Sequence, residues 1–208
     1  MAAPLSPEAF ASELDVSRET MARLQTLAHL LQKWNERINL VSQASLNDLW
    51  RRHMLDSAQL RRLGPAHGPW LDLGSGAGFP GLVLAAMGAP TMHLVESDAR
   101  KCVFLREATR AMAVDVTVHN CRIERLPAQS AAAITARALA PLPKLLALAA
   151  PHLAPGGVCL FPKGQDVEAE LTEASKSWRM RAERIASLSD PRGVVLRLKE
   201  LSHVGRPA

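Results

Sequence analysis

Apolar and polar positions in the first third of the chain recur at helical spacing; after residue 69 they change to short apolar runs separated by glycine-rich turns. Ser6 followed by Pro7 predicts a helix N-terminus, because serine satisfies free backbone N–H groups and proline suits the first helical position. Ser17 is a second cap candidate, and Met21, Leu24, Ala28, Leu31 and Ile38 behind it recur on one helical face. Ser45 with Asp48 resembles a capping box and predicts a third helix to about Leu63, with Leu49, Trp50, Met54 and Ser57 near one face. Gly64-Pro65-Ala66-His67-Gly68-Pro69 then predicts a connector. We expect a helical N-terminal extension over residues 1–68 and a second domain over residues 69–208.

The second part alternates. Strands are predicted at Trp70–Leu73, Met92–Glu96, Val114–Val118, Ala132–Ala136 and Val158–Phe161. Helices are predicted at Pro80–Met87, Asp98–Met112, Leu142–His152 and Val167–Lys176, with Pro155-Gly156-Gly157 as a break before the fifth strand. Arg179–Leu188 and Gly193–Leu201 read as two strands joined by a short turn, which makes them antiparallel neighbours. Alternating strands and helices imply an α/β fold with a mostly parallel sheet covered on both faces. Seven strands with an antiparallel C-terminal hairpin give the outline of the Rossmann-like class I methyltransferase fold.

Composition narrows the class. About half of the 208 residues are apolar, enough for a core, yet no apolar run is long enough to span a membrane. The start, MAAPLSPEAF, lacks the basic and apolar regions of a secretory signal. Cys102, Cys121 and Cys159 are widely spaced and form no metal-ligand motif, so we expect free thiols in the cytoplasm and no metal. The formal net charge of +5 favours polyanionic partners, and Arg51–Arg52, Arg61–Arg62 and Arg179/Arg181/Arg184 are local basic clusters. Each cluster is equally readable as a solvated surface.

The chemistry concentrates in Asp72-Leu73-Gly74-Ser75-Gly76-Ala77-Gly78-Phe79-Pro80-Gly81, at the end of the first predicted strand, where open α/β sheets bind ligands. Gly74, Gly76 and Gly78 form GxGxG, and Phe79 stands where a GxGxxG dinucleotide fingerprint needs its last glycine. Asp72 would repel a pyrophosphate and suits a cationic, amine-bearing ligand such as S-adenosylmethionine. Glu96, at the end of the second strand, is placed to accept both ribose hydroxyls. Asp98 reads better as the cap of the next helix. Ile123-Glu124 follows the third strand, where an adenine edge would lie.

The segments HMLDSAQL (His53–Leu60), DLGSGAGFPG (Asp72–Gly81), Ala136-Arg137-Ala138, Pro162-Lys163-Gly164 and WNERINLVS (Trp34–Ser42) together resemble the bacterial 16S rRNA guanine-N7 methyltransferases. This is the RsmG family, once called glucose-inhibited division protein B, and the likeness runs over nearly the whole chain. The resemblance implies a class I fold with a helical N-terminal cap. It implies methyl transfer from S-adenosylmethionine to N7 of guanine 527 (conventional 16S numbering), in the 530 loop. It also implies cofactor contacts at Gly74, Phe79, Ile123, Glu124 and Arg137. One departure is visible: family members commonly carry Asp just before the fourth strand, where Ala131-Ala132-Ala133 stands here.

Guanine N7 has a free lone pair, so its methylation requires alignment rather than a general base. Arg137, at the end of the fourth strand, is the candidate for positioning cofactor or guanine, and Arg51, Arg52 and Lys163 are candidates for RNA phosphate. His53 and Asp56 share a helix face and are expected to orient one another and brace the extension against the glycine loop. The expected partner is 16S rRNA or the assembling 30S subunit, with the enzyme a monomer. Rival readings are an NAD-dependent dehydrogenase, a non-catalytic RNA- or ribosome-binding module, and a small-molecule methyltransferase. The glycine spacing opposes the first, the intact glycines and Glu96 the second, and the basic charge the third.

Overall fold

The structure is a computed structural model and describes residues 3–205. Helices α1 (Pro7–Leu14) and α2 (Arg18–Asn35) begin as predicted: Ser6 Oγ accepts from Ala9 N–H and Ser17 Oγ from Thr20 N–H, each at 3.2 Å. Helix α2 stops before Ile38 because Asn35 Oδ1 accepts the N–H groups of Leu40 and Val41, both at 2.9 Å, and turns the chain.

The third helix differs from its prediction. Ser42, not Ser45, caps a single short turn, α3 (Gln43–Leu46). Asp48 does not return to Ser45; its Oδ1 accepts from Leu5 N–H at 2.9 Å and its other oxygen lies 3.2 Å from Arg51 Nε. The chain then runs through a π-helical turn at Trp50–Leu55, α4 (Asp56–Ala58) and a 3₁₀ turn at Gln59–Arg62. The wider π turn leaves carbonyls free for outside donors, and such turns concentrate at functional sites.

The rest is one seven-stranded sheet: β1 (Trp70–Leu73), β2 (Met92–Glu96), β3 (Val116–Asn120), β4 (Ala131–Ala136), β5 (Leu153–Lys163), β6 (Trp178–Ala186) and β7 (Val194–His203). Between them lie α5 (Gly81–Ala86), α6 (Ala99–Ala111), α7 (Leu142–Ala149) and α8 (Val167–Ser175). The order is β3-β2-β1-β4-β5-β7-β6, with β1 to β5 parallel and β7 antiparallel to both β5 and β6.

Two strands start more than one residue from their predicted positions. β3 starts at Val116 rather than Val114, because Ala113 takes a left-handed conformation and Val114 N–H closes the end of α6 on Thr109 O at 3.3 Å. β5 begins at Leu153 and runs through Pro155-Gly156-Gly157, which a register irregularity beside Ala131 and Ala133 absorbs instead of breaking the strand.

One face of the sheet packs against α5, α6 and the N-terminal helices in a single buried cluster containing Phe10, Leu24, Leu31, Trp70, Leu94 and Phe104. The other face is covered by α7 and α8, with Ile134, Leu146, Phe161 and Leu171 at its centre. The extension thus shares its core with the sheet. The alanines that open β4 allow close approach: Ala132 N–H reaches Pro69 O at 2.8 Å, and a side chain at Gly68 would collide with Ala132 Cβ.

Candidate functional site

Strand order reverses about β1, which lies between β2 and β4, and ligands of open α/β sheets bind at such a switch point. The glycine loop between β1 and α5 occupies it and is held from two sides. Asp72 is fully buried; its Oδ1 accepts from the Thr135 hydroxyl at 2.8 Å and its Oδ2 from Gly81 N–H at 3.2 Å. Burial pushes its pKa up to about 6, although hydrogen bonds from Thr135, Ser75 and Gly81 and the Arg137 charge oppose the rise. Glu96 grips the loop from the other side: one carboxylate oxygen accepts from Gly76 N–H at 2.9 Å, the other from Asp98 N–H at 2.8 Å. Asp98 caps α6, accepting from Arg100 N–H at 2.8 Å and Lys101 N–H at 3.3 Å.

The three glycines serve different ends. At Gly78 an added Cβ would collide with Leu82, and at Gly74 it would meet Leu139 Cδ1 at 2.6 Å; both are packing requirements. At Gly76, with φ +55°, the nearest atom to such a Cβ is Gly74 O at 3.9 Å. That position opens into a cavity.

Two hollows meet here. A cavity of about 350 Å³ is lined by Gly74, Gly76, Glu96, Ile123, Glu124 and Arg137. A wider cleft of about 1120 Å³ is lined by Arg52, His53, Phe79, Arg137, Lys163 and the turn from Ser187 to Asp190, among others. Gly74, Gly76, Lys101 and Arg137 belong to both walls.

Arg137 is fixed at this border by the helical extension. Its Nη1 donates to Arg52 O at 2.9 Å and to Asp56 Oδ2 at 3.3 Å, and its Nη2 donates to His53 Nδ1 at 2.6 Å. A guanidinium only donates, so His53 Nδ1 accepts and the ring is the neutral tautomer protonated on Nε2. Burial first, then the charges of Arg137 and Arg52, lower the His53 pKa to about 3. The ring stacks on Phe79 at 4.7 Å between centroids, and the Arg137 guanidinium carbon lies 5.3 Å from the Phe79 ring centroid.

This arrangement can be set beside known proteins. The family model described as "GidB: rRNA small subunit methyltransferase G" matches residues 20–194. The chain belongs to this GidB family. The protein named ribosomal RNA small subunit methyltransferase G in Paramagnetospirillum magneticum is 56% identical over 199 residues, covering 95% of this chain and 97% of that one. Its namesake in Rhodospirillum rubrum is 52% identical over 198 residues, covering 95% and 98%. Among solved structures, a TehB-like SAM-dependent methyltransferase from Corynebacterium glutamicum shares the fold at TM-score 0.58 and 15% identity, covering 85% of this chain and 99% of that one. Aeropyrum pernix fibrillarin in complex with natively bound S-adenosyl-L-methionine shares it at TM-score 0.55 and 15% identity, covering 72% and 75%.

As a GidB family member the chain is an S-adenosylmethionine-dependent rRNA methyltransferase. The smaller cavity suits that cofactor. It offers a carboxylate already fixed by two backbone N–H groups, a glycine with room above it, and Ile123 as an apolar wall. Among the described residues, no group of three or more His, Cys, Asp or Glu could hold a metal. No described helix is long and apolar enough to cross a membrane.

Of the residues singled out in the sequence, Gly74, Gly76, Glu96, Ile123, Glu124 and Arg137 line the smaller cavity. Phe79, Arg52 and Lys163 line the wider cleft, Lys163 paired with Glu170 at 2.7 Å. Asp72 and Gly78 line neither and act beneath the loop. Arg51 lies outside the cleft, its Nη2 on Ala3 O at 3.2 Å. His53 stacks on Phe79 of the loop, whereas Asp56 bonds no loop residue, and each bonds Arg137 rather than the other. Thr135, Gln59 and Ser189 escaped the sequence analysis. Thr135 left a faint signal as the one polar residue in an apolar strand. Gln59 and Ser189 left none, because the bonds that join the extension to the turn after β6 span distant parts of the chain.

Proposed function

We propose that this enzyme transfers the S-adenosylmethionine methyl group to N7 of a guanine in 16S rRNA, guanine 527 by its family resemblance. The acceptor would be 16S rRNA or the assembling 30S subunit in the cytoplasm. The observation that carries this reading is a cleft whose histidine is locked as a neutral acceptor with its pKa near 3, so that it is no base at neutral pH. An acceptor atom with a free lone pair needs none.

When bound, S-adenosylmethionine supplies an electrophilic methyl group. The chain's part is placement. In this reading Glu96 accepts the ribose hydroxyls with the lone pairs left over from Gly76 and Asp98, and Ile123 and Glu124 border the adenine. Arg137 stands where cofactor cavity and acceptor cleft meet and holds the reacting groups in line. Arg52, exposed at the cleft, is placed for RNA phosphate, whereas Lys163 is largely buried and already paired with Glu170. The test is to map N7-methylguanine in 16S rRNA from cells with and without the gene, then restore it with purified enzyme. Loss and restoration at guanine 527 is the expected result; a methyl group at another atom overturns the N7 assignment.

A further inference from the structure

We propose that Asp56 is a positioning residue for methyl transfer, holding the Arg137 guanidinium at the border of the two cavities through a link to Ser189. This rests on the reading that the wider cleft takes the acceptor. Arginine has a long, rotatable side chain, and a guanidinium is useful near reacting atoms only when its orientation is fixed. Its three acceptors here are the Arg52 carbonyl, the neutral His53 ring and the Asp56 carboxylate. Only Asp56 brings an opposite charge, and the side chains of the pair are 16% and 20% exposed, which limits solvent screening.

Asp56 is itself held. Its Oδ1 accepts from the Ser189 hydroxyl at 2.7 Å and from Gln59 Nε2 at 3.2 Å, leaving Oδ2 for Arg137. Gln59 Oε1 in turn accepts from Leu188 N–H at 2.9 Å. The turn between β6 and β7 is thereby tied to α4 and the 3₁₀ turn of the extension, and the tie ends on the guanidinium. Ser187, Ser189 and Asp190 of that turn line the acceptor cleft, so the acceptor wall and the cofactor border are joined through one carboxylate.

Two measurements test this. In the first, the Arg137 side-chain nitrogens are observed by NMR in the ligand-free protein. Separate, slowly exchanging Nη–H signals are expected in the wild type and averaged ones in Asp56→Ala. In the second, single-turnover methyl transfer into small-subunit rRNA is expected to slow in Asp56→Ala on the order of ten- to hundredfold. S-adenosylhomocysteine affinity should change little. Asp56→Asn should recover part of the rate, since its amide oxygen still accepts from Arg137. In an Arg137→Ala background, Asp56→Ala should add no further loss, because its only route to the reaction is gone. Should Asp56→Ala fail to fold, Ser189→Ala, which deletes one hydroxyl on a turn, carries the same comparisons. Nη signals equally resolved in the variant, an unchanged rate, or an additive loss in the Arg137→Ala background would overturn the proposal. Wild-type enzyme that methylates an atom other than N7 would overturn the proposed function and leave the Nη comparison standing.

Discussion

Burial disfavours the charged form of His53, and the Arg137 guanidinium 2.6 Å from its Nδ1 adds to the effect, so its pKa is lowered to about 3. Methyl transfer at saturating RNA and cofactor should therefore be nearly flat between about pH 6 and 9. Quenched single-turnover kinetics check this; a tenfold rise per pH unit near neutrality, lost in His53→Ala, would show that a base is required. The same shift acts on stability. The folded-state pKa lies below the unfolded value, so the stabilisation is full above about pH 6.5 and is lost as pH falls toward 3. Glu96 braces Gly76 and also faces the smaller cavity, proposed above to take the cofactor. Glu96→Ala should weaken S-adenosylmethionine binding by about 1.5–3 kcal/mol in calorimetry, the value of charged hydrogen bonds lost. Gly76→Val should abolish binding, because the added side chain stands in the cavity where nothing else blocks it. Full affinity in that variant would remove the loop from the site.

The glycine loop shows how far short-range chemistry reaches at the scale of an element. Its glycines and its place after β1 are plain in the sequence, as are the caps at Ser6, Ser17 and Asp98, because each depends on neighbours within a few residues. The role of Asp72 is different: it binds the loop to α5 and β4 from beneath, through Thr135, a partner 63 residues away. Its pKa is raised from 3.8 to about 6, so the folded state favours the protonated form. That contribution is full below about pH 3.8 and is lost as pH rises through 6, opposite in sign to that of His53. Asp72→Asn mimics the protonated acid, with its amide donating to Thr135 and its oxygen accepting from Gly81. Its thermal midpoint should rise relative to wild type between pH 4.5 and 8, as measured by circular dichroism. A difference independent of pH would show that the carboxylate is not strained by burial.

Over the whole molecule the formal charge of +5 predicts that RNA affinity falls steeply as salt rises. The structure divides the basic residues that composition leaves equal. Arg51 is spent on Asp48 and Ala3, whereas Arg52 has an exposed side chain at the cleft. Arg52→Gln should reduce the slope of log affinity against log salt by about one counterion, and Arg51→Gln should leave it nearly unchanged. Filter binding at several salt concentrations checks both; equal slopes for all three proteins would remove Arg52 from the phosphate-reading surface.

Strand–helix alternation, the antiparallel hairpin, the glycine loop and the partnership of Glu96 with the second strand all follow from residues close in the chain. Periodicity, caps and turns act over a few positions, and one chain displays them directly. The tertiary structure alone inserts β7 between β5 and β6, merges the extension with the sheet in one core and turns the third helix into π and 3₁₀ turns. It alone separates Arg51 from Arg52 and gathers Arg137, His53, Asp56 and Ser189 at one point. Those arrangements depend on which distant donors find which acceptors once the core has closed. A hydrogen bond spanning 133 residues leaves no trace in the spacing of either partner.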